Sequence, residues 1–330
     1  MNSFAYFAPT SITDALKHFA DSPGDTVFLA GGTDLITAMK QNLITPRRVI
    51  SLRRIPELQG IRVASDQVRI GAATSLAELR KNPTIAQYFP GLIQGIEGIG
   101  SPQMLNLGTL GGELCQWPRC WYFRNGFGLF GQWNGKHLVK EGDNRYHAVF
   151  GNDGPAAYVH PSRLAPVLMT MDAVLRTVSP KGETREISLM QFYRIPTQEG
   201  EPLTVLAPGE LVTEVVLPLR ERRNALYEVK HRSGLDWPYV SAAVAFDLEG
   251  GACTRSRVVL GHVAPIPWDV PEAAAVLDGK AVTNETAEEV AAVAVRGAKP
   301  LSGNGYKIPM LRAAVKRAVR LAAGLNPLEG

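Results

Sequence analysis

Two glycine turns of similar make stand where a bulky anion could be held. Phe28-Leu29-Ala30-Gly31-Gly32-Thr33-Asp34-Leu35 follows a short apolar run, and Gly108-Thr109-Leu110-Gly111-Gly112 comes about eighty residues later. Paired glycines let backbone N–H groups approach an oxyanion closely, and a threonine hydroxyl adds a further donor. A diphosphate has enough oxygens to occupy two such turns, so a dinucleotide is the first ligand to weigh. Neither turn carries a G-x-G-x-x-G fingerprint, and no Lys-Ser/Thr follows to make a Walker A loop. That disfavours a nicotinamide Rossmann site and nucleoside triphosphate hydrolysis. One Gly-Gly pair alone is most simply a strand-to-helix bend; its repetition as Thr109-x-Gly-Gly is what favours a cradle.

Other reactive side chains are sparse. His137, His147, His160, His231 and His262 show no metal-ligand spacing such as H-E-x-x-H, and no G-x-S-x-G elbow signals a serine hydrolase. No catalytic residue and no metal ligand is assigned. Cys115, Cys120 and Cys253 are an odd, scattered set that does not suit a disulfide framework, which points to a reducing, cytoplasmic compartment.

The elements that must position the turns are readable in outline. Thr10 to Phe19 reads as a helix capped by Ser11 or Thr13, Thr26 to Ala30 as a buried strand, Leu35 to Leu43 as a helix and Pro46 to Leu52 as the next strand. The first glycine turn then lies at the strand end of a β-α-β unit, where open α/β folds place ligands. Val68 to Ala72 is a strand, Ser75 caps a helix from Leu76 to Lys81, and Pro90 to Ile99 is a helix leading toward the second turn. Strands follow at Ala173 to Val178, Glu186 to Leu189 and Leu211 to Leu217. Arg220-Glu221-Arg222-Arg223 reads as a charged surface stretch, after which Tyr239 to Leu248 and Arg257 to Val263 are strands. Glu285 to Val295 is a helix stopped by Gly297, and Pro309 to Ala323 is a helix with Leu311, Val315, Ala318 and Ala322 on one face. Three units are expected: 1–58, 59–221 and 222–330.

With 330 residues, of which 45% are hydrophobic, the chain can bury a sizeable core in two or three domains. Its net charge of +4 comes from 35 basic and 31 acidic residues spread along the sequence, which leaves no nucleic-acid footprint. No apolar run reaches transmembrane length, and the first nine residues lack the pattern of a secretory signal.

Taken in order, Ala30-Gly31-Gly32-Thr33-Asp34-Leu35, Ile99-Gly100-Ser101-x-Gln103-x-x-Asn106-x-Gly108-Thr109-x-Gly111-Gly112, Tyr227-Glu228-Val229-Lys230-x-Arg232 and Pro300-Leu301-Ser302-x-Asn304-x-Tyr306-Lys307 resemble the FAD-binding medium subunit of molybdenum hydroxylases, the xanthine dehydrogenase, carbon monoxide dehydrogenase and 4-hydroxybenzoyl-CoA reductase group. The resemblance spans essentially the whole chain. It implies an α+β fold: a two-subdomain FAD-binding domain like that of vanillyl-alcohol oxidase, then a C-terminal domain like that of the carbon monoxide dehydrogenase flavoprotein. It also implies FAD as cofactor. Phe28 to Leu35 and Thr109 to Glu113 would wrap its diphosphate, Val212 and Lys230 would lie near the adenine or isoalloxazine, and Ile99 would be a further cofactor-binding residue. A lysine cation beside the flavin would stabilise the charge of the reduced ring. A molybdenum-cofactor large subunit and a small subunit with [2Fe–2S] clusters would be the partners, in a heterotrimer or a dimer of heterotrimers.

Three departures from the family stand out. Leu114-Cys115-Gln116-x-x-Arg119-Cys120-x-Tyr122-Phe123-Arg124 resembles a branch whose inserted loop holds a [4Fe–4S] cluster on four cysteines, but this chain has three in all. The loop is therefore expected to remain without its cluster, with Cys120 a leftover ligand. Its Trp117, Trp121, Tyr122, Phe123, Phe127, Phe130 and Trp133 either pack the loop together or form an interface or flavin shield. Glu113 stands where the family has asparagine, and Arg163 where it has a cofactor-bonding aspartate; Arg163 would pair with phosphate or with Glu113. His160, near Arg163 in sequence, is a candidate neighbour of the flavin. Two other functions stay open at this point: a stand-alone FAD oxidoreductase, and a scaffold subunit without catalytic role.

Overall fold

The protein is described by a computed structural model covering residues 1–232 and 234–329. Its backbone is organised by three larger sheets in chain order, with a two-stranded ribbon of Gln132–Trp133 and Lys136–His137 set within the stretch of chain that forms the middle one. Strands Ala5–Phe7, Arg48–Ser51 and Thr26–Leu29 form a parallel sheet with Arg48–Ser51 in the middle. Parallel neighbours need a crossover, and helices Ile12–Ala20 and Leu35–Lys40 lie in the two intervening stretches. Ser11 caps the first of them by accepting from the Asp14 N–H. The next sheet is antiparallel, in the order Ile61–Val63, Gln67–Gly71, Leu211–Pro218, Val174–Val178, Thr184–Ser188. The last is also antiparallel: Arg223–Val229, Val240–Glu249, Ala252–Gly261 and Trp268–Asp269.

Period-two alternation makes this last sheet a shared layer. Leu226, Ala243, Ala245 and Val259 face the core of the middle sheet, whereas Ala225, Ala242, Val244, Phe246, Val258 and Leu260 face helices Asn284–Ala294 and Lys307–Ala322. The apolar face read from the last helix is the buried one: Leu311, Val315, Ala318 and Ala322.

Three expectations are corrected, and one helix is added to them. Arg222 is not on the surface; its guanidinium is buried beside Asp172 and Asp247 and donates to the Arg255 carbonyl. The strand expected from Arg257 begins at Ala252, because the polar run Thr254-Arg255-Ser256 masks its alternation. The second glycine turn is the start of a helix, Leu110–Leu114, with Thr109 as its N-cap. Leu164–Thr170 is a helix that periodicity could not signal, since all seven residues are buried.

Candidate cofactor-binding site

The first glycine turn leaves the C-terminal end of Thr26–Leu29 and feeds helix Leu35–Lys40. Gly32 has φ +75°, the left-handed region that glycine reaches without strain. Gly31 is required for a different reason: a Cβ there would sit 1.8 Å from the Leu107 carbonyl oxygen. The backbones of the two turns are therefore in direct contact, and only hydrogen at that position permits it. Among the described residues, the N–H groups of Gly31, Gly32, Thr33 and Asp34 donate to no protein acceptor.

The second turn is engaged differently. Leu110 N–H donates to Thr74 O (3.0 Å), Gly111 N–H to Ala72 O (2.8 Å) and Gly112 N–H to Thr109 Oγ1 (3.1 Å). Its contribution is thus close backbone approach and the Thr109 hydroxyl, whose own proton is still free to donate, rather than a second array of amides. Both turns line one cavity of about 340 Å³. Phe28, Ala30, Gly31, Gly32, Thr33, Asp34, Leu35, Thr109, Gly111, Gly112 and Val212 all border it, joined by Trp117 and Glu210. Leu29 does not border it; its carbonyl accepts from Leu52 N–H in the sheet.

Four of the predicted residues lie elsewhere. Glu113 turns away from the cavity and caps helix Leu164–Thr170: Oε1 accepts from Ser162 Oγ (3.1 Å) and from the N–H groups of Arg163 (2.8 Å) and Leu164 (3.4 Å). Burial drives its carboxyl up to about 7, against which those donors pull it down. Arg163 does meet Glu113, but through its backbone. Its guanidinium, 4% exposed, reaches Glu228 (3.4 Å) and the Asp236 carbonyl (2.6 Å) and lies over the Trp237 ring. Lys230 Nζ donates to Gly98 O (2.9 Å) and sits 3.5 Å from the same Glu228. Ile99, next to Gly98, completes this group. Burial lifts the Glu228 carboxyl above its usual range, while Arg163 and Lys230 oppose that shift. His160 is buried, accepts from Ser162 N–H and packs edge-on to Tyr193, outside the glycine-turn cavity.

The inserted loop crosses in front of the first turn. Asp34 accepts from Trp117 N–H (2.9 Å) and pairs with Arg119 (2.8 Å) and Arg124 (2.9 Å). Its carboxylate therefore anchors the loop rather than standing free for a ligand. Aromatic packing is real but partial: Trp117 meets Phe123, Trp121 meets Tyr122, Tyr146 and His147, and Phe130 is buried, while Trp133 is 58% exposed. Cys120 Sγ lies 3.1 Å from His147 Nε2, and Cys253 is buried in the C-terminal core. Burial raises the Cys120 thiol and lowers His147 to about 4, so both are neutral near pH 7. Among the described residues no three His, Cys, Asp or Glu side chains converge as metal ligands, and the donor set does not fit a four-thiolate cluster.

A second cavity of about 460 Å³, not anticipated from sequence, opens on the far side of segment 117–119. Arg119, Trp121, Tyr146, Trp237, Tyr239 and Lys307 are among its walls. Its residues come from stretches near 120, 146, 160, 235, 262 and 307, which no local pattern links.

The chain matches two family models: the FAD binding domain in molybdopterin dehydrogenase over residues 2–220, and the CO dehydrogenase flavoprotein C-terminal domain over residues 225–322. It is 31% identical to the aldehyde oxidoreductase FAD-binding subunit PaoB of Escherichia coli strain K12, covering 93% of this chain and 94% of that protein. It is 28% identical to the carbon monoxide dehydrogenase medium chain of Hydrogenophaga pseudoflava, covering 97% and 96%. Among solved structures, carbon monoxide dehydrogenase from the same organism superposes with a TM-score of 0.76 at 25% identity over 98% of both chains.

Proposed function

The chain belongs to the family of FAD-binding flavoproteins of the molybdopterin dehydrogenases, and on that premise we propose that it is the FAD-binding, electron-transferring medium subunit of a molybdenum hydroxylase complex. The observation that carries the reading is the contact between the two glycine turns, which line one cavity with the amide N–H groups of the first turn unpaired. Four consecutive N–H groups without protein acceptors suit the oxygens of a diphosphate.

Bound FAD would supply one- and two-electron chemistry at its isoalloxazine ring. The residues of this chain have three tasks around it. Gly31, Gly32, Thr33 and Asp34 would hold diphosphate oxygens through N–H donors, with the hydroxyls of Thr33 and Thr109 beside them. Phe28, Leu35 and Val212 would exclude water along the apolar wall of the cavity. Arg163 and Lys230, two cations around the single carboxylate of Glu228, would set a positive field at the ring end, with Ile99 as an apolar neighbour. Glu113 would act through helix Leu164–Thr170, which it caps, rather than by touching the cofactor. No proton-transfer residue is assigned.

The partners follow from the same reading. A large subunit with the molybdenum cofactor would transform the substrate, and a small subunit with [2Fe–2S] clusters would relay electrons to this chain. The units 1–58, 59–221 and 222–330 are proposed as its domains, in keeping with the three sheets. A cytoplasmic location is supported by three free cysteines. Among the described residues no helix is long and apolar enough to cross a membrane.

The visible spectrum of the purified chain tests the reading. Flavin bands near one per protein, released on denaturation as FAD, are expected. Gly32→Val places a branched side chain at φ +75° and should strip the colour by abolishing the turn. A wild-type protein that stays colourless after incubation with FAD would remove the electron-transfer function and favour a scaffold.

A further inference from the structure

A third cavity, of about 500 Å³, lies beyond the glycine turns and has the size of a small-ligand pocket, about 300–1,000 Å³. It adjoins the glycine-turn cavity, with Cys115, Trp117 and Leu206 in the walls of both. Leu114, Phe123, Leu203 and Leu206 make its sides apolar. His160 is buried and marks its inner end, whereas the exposed stretch from Glu199 to Pro202 forms its mouth.

The polar groups that face this space are few. His160 Nδ1 accepts from Ser162 N–H (3.3 Å), which leaves the proton of the neutral ring on Nε2. Burial keeps that ring uncharged by pulling it down to about 3. Among the described residues Nε2 has no acceptor, yet the protein does not seal it off. Tyr193 packs edge-on against the same ring, and its hydroxyl is committed to the Leu114 carbonyl (3.1 Å). The Gln116 amide is committed too, donating to the Glu113 carbonyl and accepting from Arg119. No Lys or Arg among the described residues borders the cavity, and Glu199 and Glu201 stand at its mouth.

Charge and polarity together define what the cavity can take. With no cation to hold a phosphate and two carboxylates at the entrance, an anionic nicotinamide dinucleotide is disfavoured. Apolar walls around one inner N–H donor suit an uncharged, planar molecule with a carbonyl oxygen at its edge. Quinones are such molecules, and they take electrons from reduced flavins. We propose that this cavity is the docking site of a quinone, its carbonyl on His160 Nε2–H, and that the quinone is the external acceptor for the flavin of the adjoining cavity. The assignment rests on the electron-transfer reading given above. The quinone would take two electrons and two protons from fully reduced FAD and leave as the quinol, with FAD returned to its oxidised form, so no further reactant is needed. His160 keeps its proton throughout; it orients the quinone and favours the charge arriving on the carbonyl oxygen.

The test uses the full-length chain loaded with FAD and titrated calorimetrically with naphthoquinone or naphthoquinone sulfonate. The dithionite-reduced protein is then mixed with each, and flavin absorbance is followed. Naphthoquinone should bind reversibly and reoxidise the flavin at a rate that saturates, while the anionic sulfonate should bind about 10-fold more weakly or worse. His160→Ala should weaken naphthoquinone binding by roughly 5- to 30-fold. Leu203→Trp, at a partly exposed wall position, should fill the cavity and block binding, and it carries the test if His160→Ala fails to fold. In Leu203→Trp, FAD content and reoxidation by ferricyanide, which needs no pocket, should stay as in wild type. Absence of saturable binding, equal affinity for the two quinones, or binding that neither variant changes would overturn the assignment. So would quinone binding seen only in the flavin-free chain, since the flavin itself would then fill the cavity, and so would a stable adduct at Cys115. Wild type that takes up no FAD would instead defeat the electron-transfer reading, which a flavin titration reads before any quinone is added.

Discussion

At the scale of single residues, the glycines were legible and the charges were not. Gly31 and Gly32 announce a tight approach because no other residue type fits it, so residue type alone carries the inference. Glu113 and Arg163 stand out in sequence as departures from the family, but their partners depend on geometry that sequence does not contain. Arg163 reaches Glu113 by its backbone and Glu228 by its side chain, two contacts that no spacing distinguishes. Glu113 gives a pH prediction. Its carboxyl is raised from 4.5 to about 7, so between those values the folded protein holds a proton that the unfolded chain has lost. Its contribution is complete below pH 4.5 and is lost as pH rises through 7, amounting to about 3 kcal/mol. Glu113→Gln keeps an acceptor for the helix start and removes the titration. Urea unfolding between pH 4.5 and 8 should therefore show a flatter stability profile in the variant; parallel profiles would place the titration elsewhere.

At the scale of elements, the C-terminal motif Pro300 to Lys307 acquires a physical meaning. Asn144 Nδ2 donates to Ser302 Oγ, Tyr306 Oη to Arg145 O, and Lys307 Nζ to the carbonyls of Tyr146, His147 and His262 at 3.0 Å each. Asn304 Nδ2 donates to His147 O and Ala148 O. The motif is a latch for residues 144–148, the returning end of the inserted loop, whose other end is tied to Asp34. The sequence displays the motif as a run of Gly, Asn and Ser that reads like an ordinary turn, and what it holds lies some 150 residues away. Asn304→Ala would leave two buried carbonyls and the Leu301 N–H without this partner, at a cost of about 2–4 kcal/mol. Hydrogen exchange should speed up across 144–148 while the Arg48–Ser51 strand keeps its protection. Uniform acceleration throughout the chain would mean that the latch is not local.

At the scale of the whole molecule, the long alternating strands and the amphipathic last helix were legible because periodicity reports burial directly. What periodicity could not report is which neighbour each face would meet. The sheet Arg223–Val229 to Trp268–Asp269 is covered on one face by the C-terminal helices and on the other by the middle unit, with alanines at 242, 243 and 245 allowing close approach on both sides. A polar seam reinforces the second contact: Asn224 accepts from Gly91 N–H and donates to Tyr88 O, and Gln94 Oε1 accepts from Leu226 N–H. The units after residue 58 therefore share a layer rather than merely touching, and burying one sheet face requires both. Calorimetry should show them melting in a single transition, since loss of either bares an apolar sheet face. Asn224→Ala, which leaves the Gly91 N–H and the Tyr88 carbonyl unpaired in a buried seam, should lower that transition by several degrees without splitting it. Two resolved transitions in the wild type would mean that the middle unit is stable without the sheet, and the seam would then be a docking contact between independent domains.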